Sequence, residues 1–322
     1  MLTTRRHHVS NGEGYDLAIA QAYDPAKLVP GRPPVLIVPG YGMSSFIFGF
    51  HPSGLSFERS LAEAGFEVWR CDLRAQGDSV RRGGSDVYGL ADLARADLGA
   101  VIAGVLDRTG TRRDRVDVIG CSLGGTLALL YAALAKDPRI DKRVMMGTPV
   151  RWVKVHPMVR AAFFSPRLVG AVPLRGTRAL AEALLPQAAR FAPGLLRVYL
   201  NPDIVDLTAA REMARTVEDP NRHVNREIAQ WIRARDLHAG GVNLSDAIRG
   251  MHGPLLVVIA NGDGIVPRET AEFVIEASAL AKPRRLDVGT ASLKMAHADM
   301  FVSNHAEERV FAPIARWLAE PL

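Results

Sequence analysis

Cysteine is almost missing from this chain. Of 322 residues only Cys71 and Cys121 carry a thiol, and both fall in apolar stretches. A disulfide framework is therefore excluded as the source of stability. The two cysteines and nine histidines also lack the spacings that hold a metal, so no metal site is expected. No glycine loop of the phosphate-binding type occurs, and no basic run is interleaved with aromatics, so neither a cofactor nor a nucleic-acid partner is expected. No apolar run follows Arg5-Arg6 near the start, which argues against a secretory signal and makes the cytoplasm the expected location. Internal repeats and low-complexity tracts are missing too. Long apolar runs are scarce: Val118 to Ala135 is charge-free over 18 residues, yet Gly120, Ser122, Gly124 and Gly125 interrupt it. That stretch reads as strand, turn and buried helix rather than as a membrane span.

What is present suits a globular chain. Hydrophobic residues make up 48% and charged residues 23%, and at this length they can fill one large core with an insertion. Residues 5–23 alternate around Asn11-Gly12-Glu13-Gly14, a hairpin signal. The period then changes. Val35 to Val38 reads as a strand buried on both faces, Phe57 to Ala64 as a helix, Phe66 to Cys71 as a strand, Leu90 to Leu106 as a helix, and Val116 to Ile119 as a strand. A helix from Gly124 to Ala135 and a strand from Lys142 to Met146 continue the rhythm, which breaks at Thr148-Pro149. It resumes with a strand over Pro254 to Ile259, a helix near Glu269 to Ala279, a strand near Arg285 to Val288 and a last helix to Leu318. The alternation predicts an α/β chain with a doubly wound, mostly parallel sheet. Residues 150–250 carry helical patterning and no convincing strand, so they are expected to form a helical cap inserted into a sheet domain made of residues 1–149 and 251–322.

Chemistry first shows at Gly120-Cys121-Ser122-Leu123-Gly124. A serine between glycines, with a strand before and a helix after, sits on a strained turn that exposes its hydroxyl above the sheet. Such a hydroxyl attacks only when a base takes its proton and a third group holds that base. In this strand order the acid and the histidine follow the serine in the chain. Asp263, in Asn261-Gly262-Asp263-Gly264 just past a strand, has the acid's position, although alone it reads equally as a turn aspartate. His297, in Met295-Ala296-His297-Ala298-Asp299 after the final strand, is the one histidine of nine with the base's position. Asp299 reads as a support for that loop or a cap for the next helix. Negative charge developing on an attacked carbonyl needs backbone N–H donors. Leu123 N–H is one candidate, and Tyr41 N–H in Pro39-Gly40-Tyr41-Gly42 is the other, with Gly42 as the fallback.

With these residues in place, the chain resembles the α/β-hydrolase superfamily. Residues 57–74, from Phe57-Glu58-Arg59-Ser60 through Ala64-Gly65-Phe66 to Cys71-Asp72-Leu73-Arg74, together with Arg95-Ala96-Asp97-Leu98 and Ala298-Asp299, are similar to acid lipases of the gastric and lysosomal type. That resemblance implies Ser122, Asp263 and His297 as the triad positions. Gly120 to Leu127 with Tyr131-Ala132-Ala133-Leu134 resembles the elbow of polyhydroxyalkanoate synthases. Those use a cysteine nucleophile, whereas here the position holds Ser122 and Cys121 lies one residue early. Pro39 also replaces the histidine many lipases place before the oxyanion glycine, a change the backbone donor survives.

The leading expectation is a serine esterase or lipase acting through an acyl-enzyme on small-molecule or lipid esters. Acyl transfer related to polyester synthesis, and ligand binding without catalysis, are the alternatives. Residues 151–250 hold 15 Lys and Arg against 9 Asp and Glu, and residues 151–202 hold eight basic groups against Glu182 alone. Mixed with Trp152, Phe163, Phe164, Phe191 and Tyr199, this charge suits either a solvated arginine-rich face or peripheral contact with an anionic lipid surface.

Overall fold

The computed structural model describes residues 1–171, 173–278 and 282–321. Its strands are β1 (Thr3–Ser10), β2 (Tyr15–Tyr23), β3 (Val35–Val38), β4 (Val68–Cys71), β5 (Val80–Arg81), β6 (Val116–Cys121), β7 (Ile140–Met146), β8 (His238–Ala239), β9 (Val242–Asn243), β10 (Leu255–Ala260) and β11 (Arg284–Val288). Among the described residues, one sheet runs β1-β2-β4-β3-β6-β7-β10-β11, with β5 beside β2. The hairpin β1–β2 is antiparallel and meets β4 antiparallel; every pairing from β4 through β11 is parallel.

Alternation along the strands divides the core. Leu36 and Val38 face one apolar cluster, whereas Val35 and Ile37 face the other. The helices that cover these faces are α1 (Phe57–Glu63), α2 (Leu90–Asp92), α3 (Gly99–Arg108), α4 (Leu123–Ala135), α5 (Pro157–Ala162), α6 (Pro166–Ala171), α7 (Thr177–Phe191), α8 (Ala210–Met213), α9 (Arg222–Ala234), α10 (Leu244–Ala247), α11 (Arg268–Ala277), α12 (Asp299–Val302) and α13 (Ala312–Ala319). Helices α3, α4 and α11 bury Val101, Leu127 and Val274 on the Leu36 face, and α1 and α13 bury Phe57, Leu61 and Ile314 on the other. A sheet covered on both sides explains why β3, β6, β7 and β10 are apolar or enclosed throughout.

Three sequence expectations need correction. The helix expected over Leu90 to Leu106 is interrupted by a π segment at Leu93–Leu98, because Asp97 is drawn inward to an ion pair. The segment between β7 and β10 does contain strands: β8 and β9 form a two-residue hairpin turning on Gly240-Gly241, both at positive φ. The closing helix is also divided, into α12, a π turn at Glu307–Phe311, and α13. Ala279, the expected end of α11, lies outside the described residues.

Candidate active site

The strand β6 ends at Cys121, and Ser122 turns the chain into α4 with φ 54° and ψ −122°, a conformation that costs a non-glycine residue energy. Neighbours fix it there. Ser122 N–H donates to Met146 O at 2.8 Å, and Gly125 N–H donates to Ser122 O at 3.0 Å. Side chains at the flanking glycines would collide: a Cβ at Gly120 would stand 2.3 Å from Gly125 Cα, and one at Gly124 would stand 2.4 Å from the Val38 and Pro39 oxygens. The motif is thus required by close approach of helix, strand and loop. Cys121, 1% exposed, lies in the core, and burial pushes its thiol well above the usual range.

Asp263 and His297 come together across 34 residues of chain. Asp263 Oδ2 lies 2.6 Å from His297 Nδ1, while Asp263 Oδ1 accepts from Ile265 N–H and Val266 N–H at 2.8 Å each. Three hydrogen bonds on a nearly enclosed carboxylate fix its plane. With Nδ1 facing the carboxylate, the ring's Nε2 makes no hydrogen bond among the described residues. Ser122 Oγ makes no hydrogen bond to this ring among the described residues. The two meet through Gly147, which follows the strand end that accepts from Ser122 N–H. A Cβ at Gly147 would stand 2.9 Å from His297 Cε1 and 3.1 Å from Asp263 Oδ2. Sequence reasoning missed Gly147; the glycine after an apolar strand was its only signal.

Asp299 does not pair with His297. Its carboxylate accepts from Ala296 N–H at 2.6 Å and from Asn201 N–H at 2.9 and 3.1 Å, joining the histidine loop to the segment between β7 and β10. Burial pushes this carboxyl up to about 6, against the donors that favour its charge. Asn201 Nδ2 reaches Lys294 O at 2.8 Å, and Ala298 N–H donates to Tyr199 O at 2.7 Å. Tyr199 itself lies against His297, with ring centroids 6.2 Å apart. Neither Tyr199 nor Asn201 had a sequence signal tying it to the histidine.

The loop after β3 packs on the elbow, since a Cβ at Gly40 would stand 3.1 Å from Cys121 O and from Ser122 Cβ. Leu123 N–H opens α4, and neither it nor Tyr41 N–H donates to an acceptor among the described residues. The fallback donor Gly42 adopts φ 62°, and its carbonyl accepts from Glu218 N–H at 2.8 Å. Tyr41 Oη donates to Asn225 Oδ1 at 2.7 Å, which ties the loop to α9. Above Ser122, Tyr41 and Leu123 lies a cavity of about 360 Å³ with no charged side chain in its lining; Trp152, Phe163, Leu196, Trp231 and Ile265 are among its walls.

This architecture agrees with comparison to known proteins. Residues 33–287 match the family model described as alpha/beta hydrolase fold. The chain belongs to that α/β-hydrolase-fold family. Solved structures with the same fold include a hydrolase from Pseudomonas aeruginosa PA01, with TM-score 0.64 and 16% identity over 98% of this chain and 99% of that one. An esterase from Exiguobacterium antarcticum has TM-score 0.64 and 15% identity over 98% of this chain and 100% of that one. The enol-lactonase from Burkholderia xenovorans LB400 has TM-score 0.63 and 17% identity over 97% and 100%. Within this α/β hydrolase, residues 57–74 and 95–98 meet: Arg74 Nη2 lies 2.6 Å from Asp97 Oδ1, both nearly enclosed, and Asn11 Nδ2 adds a bond of 2.7 Å to the same oxygen. Those residues brace β1, β4 and the bent helix rather than the reacting atoms. No helix among the described residues of the α/β hydrolase is long and apolar enough to cross a membrane.

Proposed function

We propose that the protein is a serine hydrolase that cleaves carboxylic esters with apolar acyl chains. The observation that carries this reading is the Asp263–His297 pair, 2.6 Å apart, beside an elbow serine that lines an uncharged cavity of about 360 Å³. His297 Nε2 takes the proton from Ser122 Oγ as that oxygen attacks the ester carbonyl. The N–H groups of Leu123 and Tyr41 receive the negative oxygen. The C–O bond to the alcohol breaks, and His297 returns the proton to the leaving alcohol. Water then repeats the sequence on the acyl-enzyme and releases the acid. Loose contact between serine and histidine before substrate binds is ordinary for such sites. Asp263 holds the ring by Nδ1 so that Nε2 faces the serine.

The test compares p-nitrophenyl acetate with p-nitrophenyl octanoate. Each buried methylene contributes about 0.8 kcal/mol, so kcat/KM is expected to rise at least tenfold with the longer chain and to vanish in Ser122→Ala. Octanoate bound but not cleaved would turn the reading to ligand binding; octanoyl-CoA consumed only with an alcohol acceptor would turn it to acyl transfer.

A second aspect rests on exposure. Among the described residues, ten of the fourteen exposed large hydrophobic residues fall between Val153 and Tyr199, including Phe164, Leu180, Leu184, Phe191 and Leu195. The same stretch is strongly basic. Apolar side chains among an excess of cations suit an anionic lipid surface, and we propose that residues 150–250 form a cap whose first half rests on one.

A further inference from the structure

Beside the ester cavity lies a second of about 340 Å³, and the two share Trp152, Phe163 and Ile232 as a common wall. Its remaining lining includes Arg160, Arg233 and Arg235, and contains no carboxylate. Arg160 and Arg233 join no ion pair among the described residues, and Arg235 makes only a long bond to Val153 O, 3.4 Å. Other arginines of this segment are mixed: Arg151 pairs with Asp236, Arg178 with Glu218 and Arg197 with Asp203, whereas Arg167, Arg175 and Arg190 lie outside the pocket lining. What sets Arg160, Arg233 and Arg235 apart is that they border one concavity. Three cations gathered around one concavity without a counter-charge repel one another, and an anion would relieve that repulsion.

A second observation points the same way. Trp152, 4% exposed, has an indole N–H that is buried without an acceptor. The adjoining Trp231 differs, since its Nε1–H donates to Val150 O at 3.0 Å. A buried donor left unmet is unfavourable, and its residue belongs to the wall common to both cavities. The backbone adds a third: Arg235 holds φ 69°, and its carbonyl accepts from Trp152 N–H at 2.9 Å. The positive-φ residue that ends α9 is thereby pinned to the backbone of Trp152.

We propose that this pocket is an anion subsite for the substrate, reading a carboxylate or phosphate carried on an arm of the ester whose apolar chain fills the neighbouring cavity. The inference rests on the ester-hydrolase reading of Ser122. Guanidinium groups match the oxygen spacing of either anion, and Ser122 does not border the pocket, so the anionic group lies away from the bond that breaks. Charge there serves binding equally in the ground and transition states, and its loss is read in KM rather than kcat.

The experiment measures kcat and KM for three esters with eight-carbon acyl chains: neutral p-nitrophenyl octanoate, the p-nitrophenyl monoester of suberate, and 4-(octanoyloxy)phenyl phosphate. The first anionic probe carries its carboxylate on the acyl arm, and the second carries phosphate on the leaving arm. In the Arg160→Gln/Arg233→Gln variant, KM for at least one anionic ester is expected to rise about tenfold, the cost of losing roughly 1.4 kcal/mol, with the neutral ester unchanged. Whichever anionic ester responds identifies the arm. Arg167→Gln/Arg175→Gln, which alters charge outside the pocket, should leave all three KM values in place. An unchanged ratio of anionic to neutral KM in the pocket variant, or an equal response in the control variant, overturns the subsite. If the wild type cleaves none of the three, the hydrolase reading fails by itself; calorimetric binding of suberate by wild type, lost in the pocket variant, would still uphold the subsite, and its absence would overturn it.

Discussion

Helices α7 and α9 lie in the same stretch of chain and have similar length, yet they are held differently. Helix α9 starts at Asn221, whose side chain accepts from His223 N–H and Val224 N–H, and it buries Val224, Ile228, Trp231 and Ile232. It also takes the Tyr41 hydroxyl on Asn225. Helix α7 has no side-chain cap from Gly176, contains Pro186, and buries no residue. Its first N–H groups are met instead by Asp219, which accepts from Gly176 N–H and Thr177 N–H. Leu180, Leu184 and Phe191 of α7 face outward, at 58%, 55% and 70% exposure. The contrast teaches that amphipathic patterning alone does not say what an apolar face meets. One face meets the core; the other stays exposed.

The largest effect should come from the part of the molecule that α9 braces. Ser122→Ala is expected to reduce ester turnover by about 10⁴- to 10⁶-fold without loss of fold, whereas Cys121→Ala keeps turnover because its thiol is enclosed. The opposite result, in a stopped-time ester assay, would move the nucleophile. Asp263→Asn and His297→Ala should each cost about 10³-fold or more, and Asp299→Asn much less, since Asp299 bonds backbone rather than the imidazole.

Stability should separate the two helices next. Trp231→Ala removes a buried ring and its bond to Val150 O, and urea unfolding is expected to register about 3–5 kcal/mol. Leu184→Ala, on the exposed face of α7, should change stability by less than about 0.5 kcal/mol. Equal losses would mean that α7 packs like α9 in solution.

Exchange of the α7 face should act instead on association. Binding to vesicles of anionic lipid is expected to exceed binding to neutral ones, to weaken with salt, and to fall several-fold in Leu184→Ser/Phe191→Ser. Indifference to lipid charge and to both substitutions would leave the face without a lipid partner.

A smaller effect belongs to the sheet. Asp117, wholly enclosed at the start of β6, accepts from Lys142 N–H at 3.0 Å through Oδ1 while Oδ2 is unmet. Burial pushes this carboxyl up to about 7. The unfolded carboxyl titrates near about 3.9, so between those values the folded chain holds its proton more tightly. Stability from this group is therefore lost as pH rises from about 4 to about 7. Asp117→Asn removes that slope, and its melting temperature relative to wild type should be higher at pH 8 than at pH 5.

Residue type and order alone determined the alternation of strands and helices, the elbow at Ser122, and the positions of Asp263 and His297. These are mostly local matters: Gly120 answers a contact made within one strand–turn–helix unit, although Gly124 makes room for the Val38 and Pro39 carbonyls of the neighbouring strand and loop, and chain order alone places Asp263 and His297 in loops that follow later strands. Other features belong to the tertiary structure. Arg74 and Asp97 were visible in two separate stretches, but their pairing depends on a helix that bends to bring them together. Asp299 read as a support for its loop or as a helix cap; it bonds Ala296 in that loop, and its bond to Asn201, 98 residues away, had no sequence signal. Gly147 became part of the site only once β7 ended beside His297. The three arginines of the side pocket are drawn from α5 and from the end of α9, and they look like ordinary surface charge until packing shows that no carboxylate accompanies them. Sequence specifies what each residue can do with its neighbours in the chain, while contacts between distant segments, and the absence of a partner at a buried donor or an exposed face, exist only after the chain has folded.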